Sequence, residues 1–348
     1  MVEAARPLDA SDGLTDDTLL SVRQLKIAIN TDEGRIVPVN GVDFSLKQGH
    51  TLGLVGESGS GKSLSTKALV HLLPNTASIL DGSQLLFRTK AGSAVDLAQY
   101  APRGKQIRHI RGGEIAMIFQ EPMASFSPVY TIGNQIIEAI RLHRGLDKKE
   151  ARNLAIDMLS KVGLSNPTLR IDQYPHELSG GMRQRAMIAI ALSTNPSLLI
   201  ADEPTTALDV TTQAQILNLI RSLQDELGMS VLFITHDMGV IAQVADDVAV
   251  MYMGEVVEYG PTRQVVRQPQ HPYTRGLLAA IPSIDHVGGR LTPIGGDLPT
   301  TRPDGCPFHT RCAEAIPGRC AREAPQTVPV DPTWWARCHL LEQRETAS

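Results

Sequence analysis

Three groups of residues in this chain have the types and spacing to hold a phosphate chain, bind a divalent cation and direct water at phosphorus. Gly56 to Ser63 read GESGSGKS, Asp202 and Glu203 stand together after the apolar run Leu198 to Ala201, and His236 follows the apolar run Ser230 to Thr235. The first group matches G-x-x-x-x-G-K-[ST], in which backbone N–H groups wrap phosphates and the lysine reaches the terminal ones. Gly56, Gly59 and Gly61 keep side chains out of the way, while Glu57, Ser58 and Ser60 fill the intervening positions. Lys62 supplies positive charge for β- and γ-phosphates, and the Ser63 hydroxyl is a magnesium ligand. Asp202 suits the same cation, because magnesium takes oxygen ligands and keeps several waters. Glu203 is then free to polarise the attacking water, and an imidazole at His236 is placed to face the γ-phosphate. Without the phosphate loop the acidic pair reads equally well as a solvated strand end, and a lone histidine as structural.

These residues need particular elements beneath them. Thr51 to Val55 reads as a buried strand and Ser63 to Leu73 as the helix whose N-terminus receives the anion. Leu198 to Ala201 and Ser230 to Thr235 read as further buried strands, which puts Asp202, Glu203 and His236 at strand C-termini, where open α/β sheets bind ligands. Ile115 to Phe119 reads as another strand, followed by Gln120. Ahead of the phosphate loop, SVRQLKIAIN and VNGVDFSLKQG alternate as antiparallel edge strands. Between about Glu121 and Glu177 the periodicity turns helical. After Leu178 the α/β pattern resumes, with a helix over Thr211 to Leu227 and a strand over Val248 to Met253, until Gly260-Pro261 signals a boundary.

Leu178 to Arg185 read LSGGMRQR. Ser179, Gly180 and Gly181 thus open a second helix whose N-terminus suits a phosphate. One ATP does not easily occupy two such helices of one chain, so the pattern asks for a dimer.

The chain has 348 residues, 42% of them hydrophobic, enough for about two domains with a sizeable core. Lys and Arg total 33 against 37 Asp and Glu, a formal net charge of -4, which gives no electrostatic case for nucleic-acid binding. No apolar run approaches the length of a membrane span, and Met1 to Asp17 lacks signal-peptide character. A soluble chain that meets membranes only through partners is therefore expected.

The motif set and its order resemble the ATP-binding cassette (ABC) ATPases. The segments EPMASFSP after Gln120 and HPYTRGLLAAIPS, His271 to Ser283, narrow the resemblance to ATP-binding subunits of oligopeptide and dipeptide ABC importers. The resemblance implies an α/β fold: an ABC-type P-loop ATPase core with an antiparallel β edge region, an inserted helical subdomain and a small cysteine-containing C-terminal extension. The expected division is a tail over 1–18, a nucleotide-binding domain over 19–262 with the helical subdomain at about 121–177, and the extension over 263–348. It further implies that Ser179, Gly180 and Gly181 close over ATP held by a partner subunit, that Asp209 in TALDV communicates across that interface, and that Gln120 touches magnesium and water. The segment after Gln120 then contacts the membrane subunits. The implied partners are a second ABC ATPase, homologue or self, two transmembrane permeases and an extracytoplasmic binding protein. The implied location is the cytoplasmic face of the cell membrane. Nickel or another small solute is the alternative cargo. A soluble ABC ATPase acting on ribosomes or DNA fits less well, since this sequence has one cassette and no heptad run.

The chain departs from the family at the base site. The stretch LKIAINTDEGRIVPVN lacks the aromatic residue that usually stacks on adenine, and Ile29 stands in the equivalent position. An aliphatic contact forgoes the additional ~0.5–1.5 kcal/mol of aromatic pairing.

Cys306, Cys312, Cys320 and Cys338 are the chain's 4 cysteines, all in a proline-rich C-terminal stretch. A reducing compartment argues against disulfides. Neither of the first two gaps is the short C-x2–4-C pair usual for structural zinc, although His309 or His339 could assist one. Unrelated buried thiols are a further reading, and four thiolates also suit an iron–sulfur cluster. The resemblance implies the last, a [4Fe–4S] cluster, with Zn2+ as the alternative.

Overall fold

The computed structural model describes residues 14–121, 125–206, 208–281 and 294–346. The tail up to residue 13, Pro122 to Ala124 of EPMASFSP, Ala207 of TALDV, and Pro282 and Ser283 of the HPYT segment lie outside the described residues.

The alternating N-terminal sequence forms two long antiparallel strands, β1 (Thr18–Thr31) and β2 (Gly34–Lys47). On the other side of β1 pair β4 (Ala77–Ile79) and β5 (Gln84–Arg88), and β6 (Ala94–Asp96) completes this five-stranded sheet beside β5. Between β2 and β4 the chain dives into the centre of the molecule as β3 (Thr51–Val55), all five residues buried.

β3 belongs to an eight-stranded sheet. Its parallel part contains β7 (Ile115–Ile118), β8 (Leu198–Asp202), β9 (Ser230–Thr235) and β10 (Asp247–Tyr252) in the spatial order β10-β3-β9-β8-β7. β8 and β9 are buried throughout, as expected of parallel strands covered on both faces. One apolar cluster, with Val55, Leu199 and Phe233, fills the face toward the helices; a second, with Leu52, Leu54 and Leu232, fills the face toward the five-stranded sheet.

Between β7 and β8 lie the helices Ile132–Arg144 and Lys148–Lys161. Thr131 caps the first, which buries the stripe Ile132, Ile136, Ile137 and Ile140 and stops at Gly145, φ 67°. Asp147 and Glu150 form a capping box at the start of the second.

At the opposite edge β11 (Glu255–Pro261) runs antiparallel to β10 and pairs with β13 (Trp334–Arg337), which pairs with β12 (Thr327–Asp331). Gly260-Pro261 closes β11, and the C-terminal hairpin pairs onto that strand and extends the same sheet. Gly260 permits this, because a Cβ there would sit 2.6 Å from Trp334 Cδ1. The buried Glu258 carboxylate accepts from the Gln270 and His271 N–H groups and from Trp334 Nε1, each within 2.9–3.0 Å. Burial pushes its pKa upward against those hydrogen bonds.

Candidate active site

The sheet order explains the site. β3, β9, β8 and β7 are neighbours, so the phosphate loop, His236, the Asp202–Glu203 pair and Gln120 all emerge at one end of four adjacent parallel strands. This is the edge at which an open α/β sheet offers its loops to a ligand.

The loop turns from β3 into the helix Lys62–Leu69, which has no side chain capping its N-terminus. That leaves its first N–H groups for an anion. The loop's backbone is packed too closely for side chains: a Cβ on Gly56 would lie 2.1 Å from Met251 O, and one on Gly61, φ 98°, 2.9 Å from Pro38 O. Lys62 Nζ donates to Gly56 O at 2.7 Å, Glu57 O at 2.9 Å and the buried Ser60 Oγ at 3.3 Å. Burial lowers the Lys62 pKa, opposed by the charges of Glu203, Asp202 and Glu57.

Ser63 Oγ donates to Asp202 Oδ1 at 3.0 Å, bringing together two hard oxygen donors from separate elements. Desolvation raises the Asp202 pKa, opposed first by the Ser63 hydrogen bond; a divalent cation beside it would favour the carboxylate. This donor pair fits magnesium.

Glu203 sits just beyond β8 in the left-handed region, φ 48°, an uncommon conformation for a non-glycine residue. Its Oε2 accepts from Gln120 Nε2 at 3.0 Å and Thr206 Oγ1 at 2.8 Å, and its Oε1 lies 3.3 Å from His236 Nδ1. The Glu203 side chain is 12% exposed and that of His236 57%. Ser58, Gly59, Gly61, Lys62, Ser63, Leu64, Gln120 and Glu203 line a cavity of 280 Å³. A phosphate-binding loop, the Ser63 hydroxyl and an oriented carboxylate thus face one space, with Asp202 behind Ser63 and His236 beside Glu203 just outside the lining, the arrangement of a P-loop nucleotide hydrolase.

The family model described as "ABC transporter" matches residues 39–206, and that described as "Oligopeptide/dipeptide transporter, C-terminal region" matches 257–320. A putative peptide import ATP-binding protein of Brucella melitensis biotype 1 is 47% identical, over 92% of this chain and 96% of its own. The dipeptide transport ATP-binding protein DppD of Bacillus subtilis is 46% identical, over 94% and 96%. Among solved structures, a dimeric post-hydrolysis state of the ATP-binding cassette MJ0796 bound to ADP and Pi superposes with a TM-score of 0.61 at 25% identity, covering 70% of this chain and 99% of that one. The chain belongs to the ATP-binding subunits of oligopeptide/dipeptide-type ABC importers, and it is an ATPase.

Other residues singled out in the sequence lie outside the cavity lining. Ser179 caps the helix Gly180–Leu192, accepting from Met182 N at 3.4 Å, and Ser179 and Gly180 are exposed. Asp209 caps the helix Val210–Leu227 through Thr211 N and Thr212 N, with Thr212 Oγ1 donating to it at 2.7 Å. Ile29 is half-buried in β1 between Ile36 of β2 and Ala77 of β4.

Cys306, Cys312, Cys320 and Cys338 are all free, three of them buried. Burial pushes the Cys306 thiol up to about 12 and the Cys338 thiol up to about 11, with smaller upward contributions from neighbouring thiols of the same set. Among the described residues no group of three or more Cys, His, Asp or Glu side chains is arranged to hold a metal ion. A single zinc ion, with Zn–S near ~2.3 Å, needs thiolates within about 4 Å of one another. The histidines do not supply the deficit: His339 uses both ring nitrogens, on Glu342 Oε2 and Glu323 O, and His309 Nδ1 lies 2.8 Å from Cys306 O. Neither the zinc alternative nor an iron–sulfur cluster finds a ready set of ligands among the described residues.

Three contacts were not legible in the sequence. Thr206 orients Glu203, and only its position three residues on hints at it. Arg311 and Tyr273, both beyond β11, reach Glu57 in the phosphate loop.

Proposed function

We propose that this chain is the ATP-hydrolysing subunit that drives import of di- or oligopeptides through a membrane ABC transporter. The observation that carries the reading is that residues 257–320, which match the oligopeptide/dipeptide transporter region, begin in β11 of the sheet that bears the phosphate site and reach its loop through Tyr273 and Arg311. The names of the relatives, peptide import and dipeptide transport proteins, support the cargo class. Among the described residues no helix is long and apolar enough to cross a membrane. We place the chain at the cytoplasmic face, with a second ABC ATPase, two permeases and an extracytoplasmic binding protein. The segment after Gln120, with Val129 71% and Tyr130 56% exposed, is the surface offered to the permeases. For the domains we keep 19–262 as the nucleotide-binding domain, with its helical subdomain at about 121–177, and 263–348 as the extension.

Gly56 to Ser63 bind the phosphates of ATP, with Ile29 against the base. Ser63, Asp202 and Gln120 would hold Mg2+, which when bound would neutralise phosphate charge. Glu203, fixed by Gln120, Thr206 and His236, accepts a proton from the attacking water and aims it in line with the γ-phosphate. Lys62 and His236 stabilise charge developing on the transferred group. The exposed Ser179 and Gly180, with the half-buried Gly181, complete the site of a partner subunit, and Asp209 keeps its helix end ordered at that interface. For the four cysteines we propose ligation of a [4Fe–4S] cluster that pins the extension. The all-thiol donor set supports this.

Cells lacking the endogenous gene, complemented with wild type or Lys62→Ala, should be compared for uptake of labelled dipeptides. Uptake restored by wild type and lost in Lys62→Ala is expected; equal uptake in both would remove the transport role. Anaerobic purification should yield iron with acid-labile sulfide, and a chain containing neither would reject the cluster.

A further inference from the structure

The phosphate loop contains a carboxylate at a place where negative charge opposes the ligand. Glu57 lies between Gly56 and Ser58, and its charge acts against a polyphosphate seated on the loop. The C-terminal extension supplies the counter-charge. Arg311 Nη1 and Nη2 donate to Glu57 Oε2 and Oε1 at 2.6 and 2.9 Å, a two-pronged pair. The Arg311 side chain is only 5% exposed. It is itself braced, since Nε donates to Gly295 O at 3.0 Å and the guanidinium carbon stands 5.8 Å from the centroid of Tyr252.

A second contact holds the backbone of the same loop residue. Glu57 N–H donates to Tyr273 Oη at 2.9 Å, and the buried Tyr273 ring packs against Tyr252 and Phe308 with centroids 4.7 and 5.4 Å away. Lys62 Nζ in turn donates to the carbonyls of Gly56 and Glu57. Where the Gly56–Glu57 backbone sits therefore decides where the phosphate-binding lysine sits.

We infer that Arg311 and Tyr273 are positioning residues for the nucleotide site: Arg311 neutralises Glu57 beside the polyphosphate, and Tyr273 fixes the backbone that carries Lys62. This rests on the ATP-binding reading above. The extension is then part of the ATPase and more than an appendage to it. Neither residue touches the reacting atoms, so the effect belongs in affinity for MgATP.

The test uses the full chain, with MgATP affinity by calorimetry and steady-state phosphate release. Arg311→Gln is expected to raise KM about tenfold with kcat within about twofold of wild type. Arg311→Lys keeps the charge without the fork and should recover part of the loss. The double variant Glu57→Gln with Arg311→Gln should regain affinity over Arg311→Gln alone, because the charge needing neutralisation is gone. Tyr273→Phe should raise KM severalfold while the ring cluster stays packed. Tryptophan fluorescence of Trp334 and Trp335 reports whether the extension remains folded; if Arg311→Gln unfolds it, the double variant and Tyr273→Phe decide. An unchanged KM in Arg311→Gln, or a double variant no better than the single, overturns the inference. Lys62→Ala run alongside separates the two levels: normal MgATP binding in that variant overturns the nucleotide reading itself.

Discussion

Replacing Glu203 by glutamine separates chemistry from binding. The carboxylate has three neighbours: Gln120 Nε2 and Thr206 Oγ1 donate to Oε2, and His236 Nδ1 faces Oε1. A glutamine in the same rotamer keeps its carbonyl oxygen toward the first two donors and turns its NH2 toward His236. The imidazole accepts that hydrogen bond in the tautomer protonated on Nε2, so no polar group is stranded. The amide fits the space but has no basicity toward water. General-base assistance contributes about 10²–10⁴-fold, or ~2.7–5.5 kcal/mol of barrier, so kcat should fall by that factor with MgATP affinity nearly unchanged. Phosphate release gives the rate, and light scattering with MgATP present should show a persistent dimer, since closure occurs without reopening. Full turnover in Glu203→Gln, or a loss confined to KM, would refute the assignment.

Further outcomes follow from the same geometry. A Cβ at the exposed Gly180 meets nothing within 4 Å, so Gly180→Asp should fold and bind MgATP as a monomer, yet repel the phosphates of a partner and cut turnover at least about tenfold; unimpaired turnover would dismiss the shared site. Ile29→Tyr should tighten ATP by the ~0.5–1.5 kcal/mol of aromatic pairing, and titration showing no gain would place the base elsewhere. His271 is fully buried, and desolvation lowers its pKa from 6.5 to about 3. The unfolded state therefore binds the additional proton, and stability present above pH 6.5 is lost as pH falls toward 3. Thermal unfolding should show a loss of about 1 kcal/mol between pH 6.5 and 5.5, and a flat profile there would contradict burial of a neutral imidazole.

The parts of the site legible in the sequence were those built from contiguous residues. β3 and β9 coincide with the apolar runs read for them, because strands buried on both faces need continuous apolar sequence. The helix after the phosphate loop stops at Leu69 rather than Leu73: Val70 leaves helical geometry and His71 takes a positive φ of 50°. At Gly260-Pro261 nothing local announces that β11 pairs onward, since its partner strand lies far along the chain at Trp334–Arg337. Arg311 and Glu57 are 254 positions apart, and nothing local in either segment announces their pairing. The partners of His339 were hidden for the same reason, because Glu342 and Glu323 reach it from separate turns of the extension.

The central claim is that this ATPase works inside a membrane importer, and gentle anaerobic extraction of membranes carrying the tagged chain, followed by mass spectrometry of what co-purifies, tests it most directly. Recovery of two permeases with a second ABC ATPase is the expected result. Recovery of ribosomal or DNA-associated proteins without permeases would contradict it.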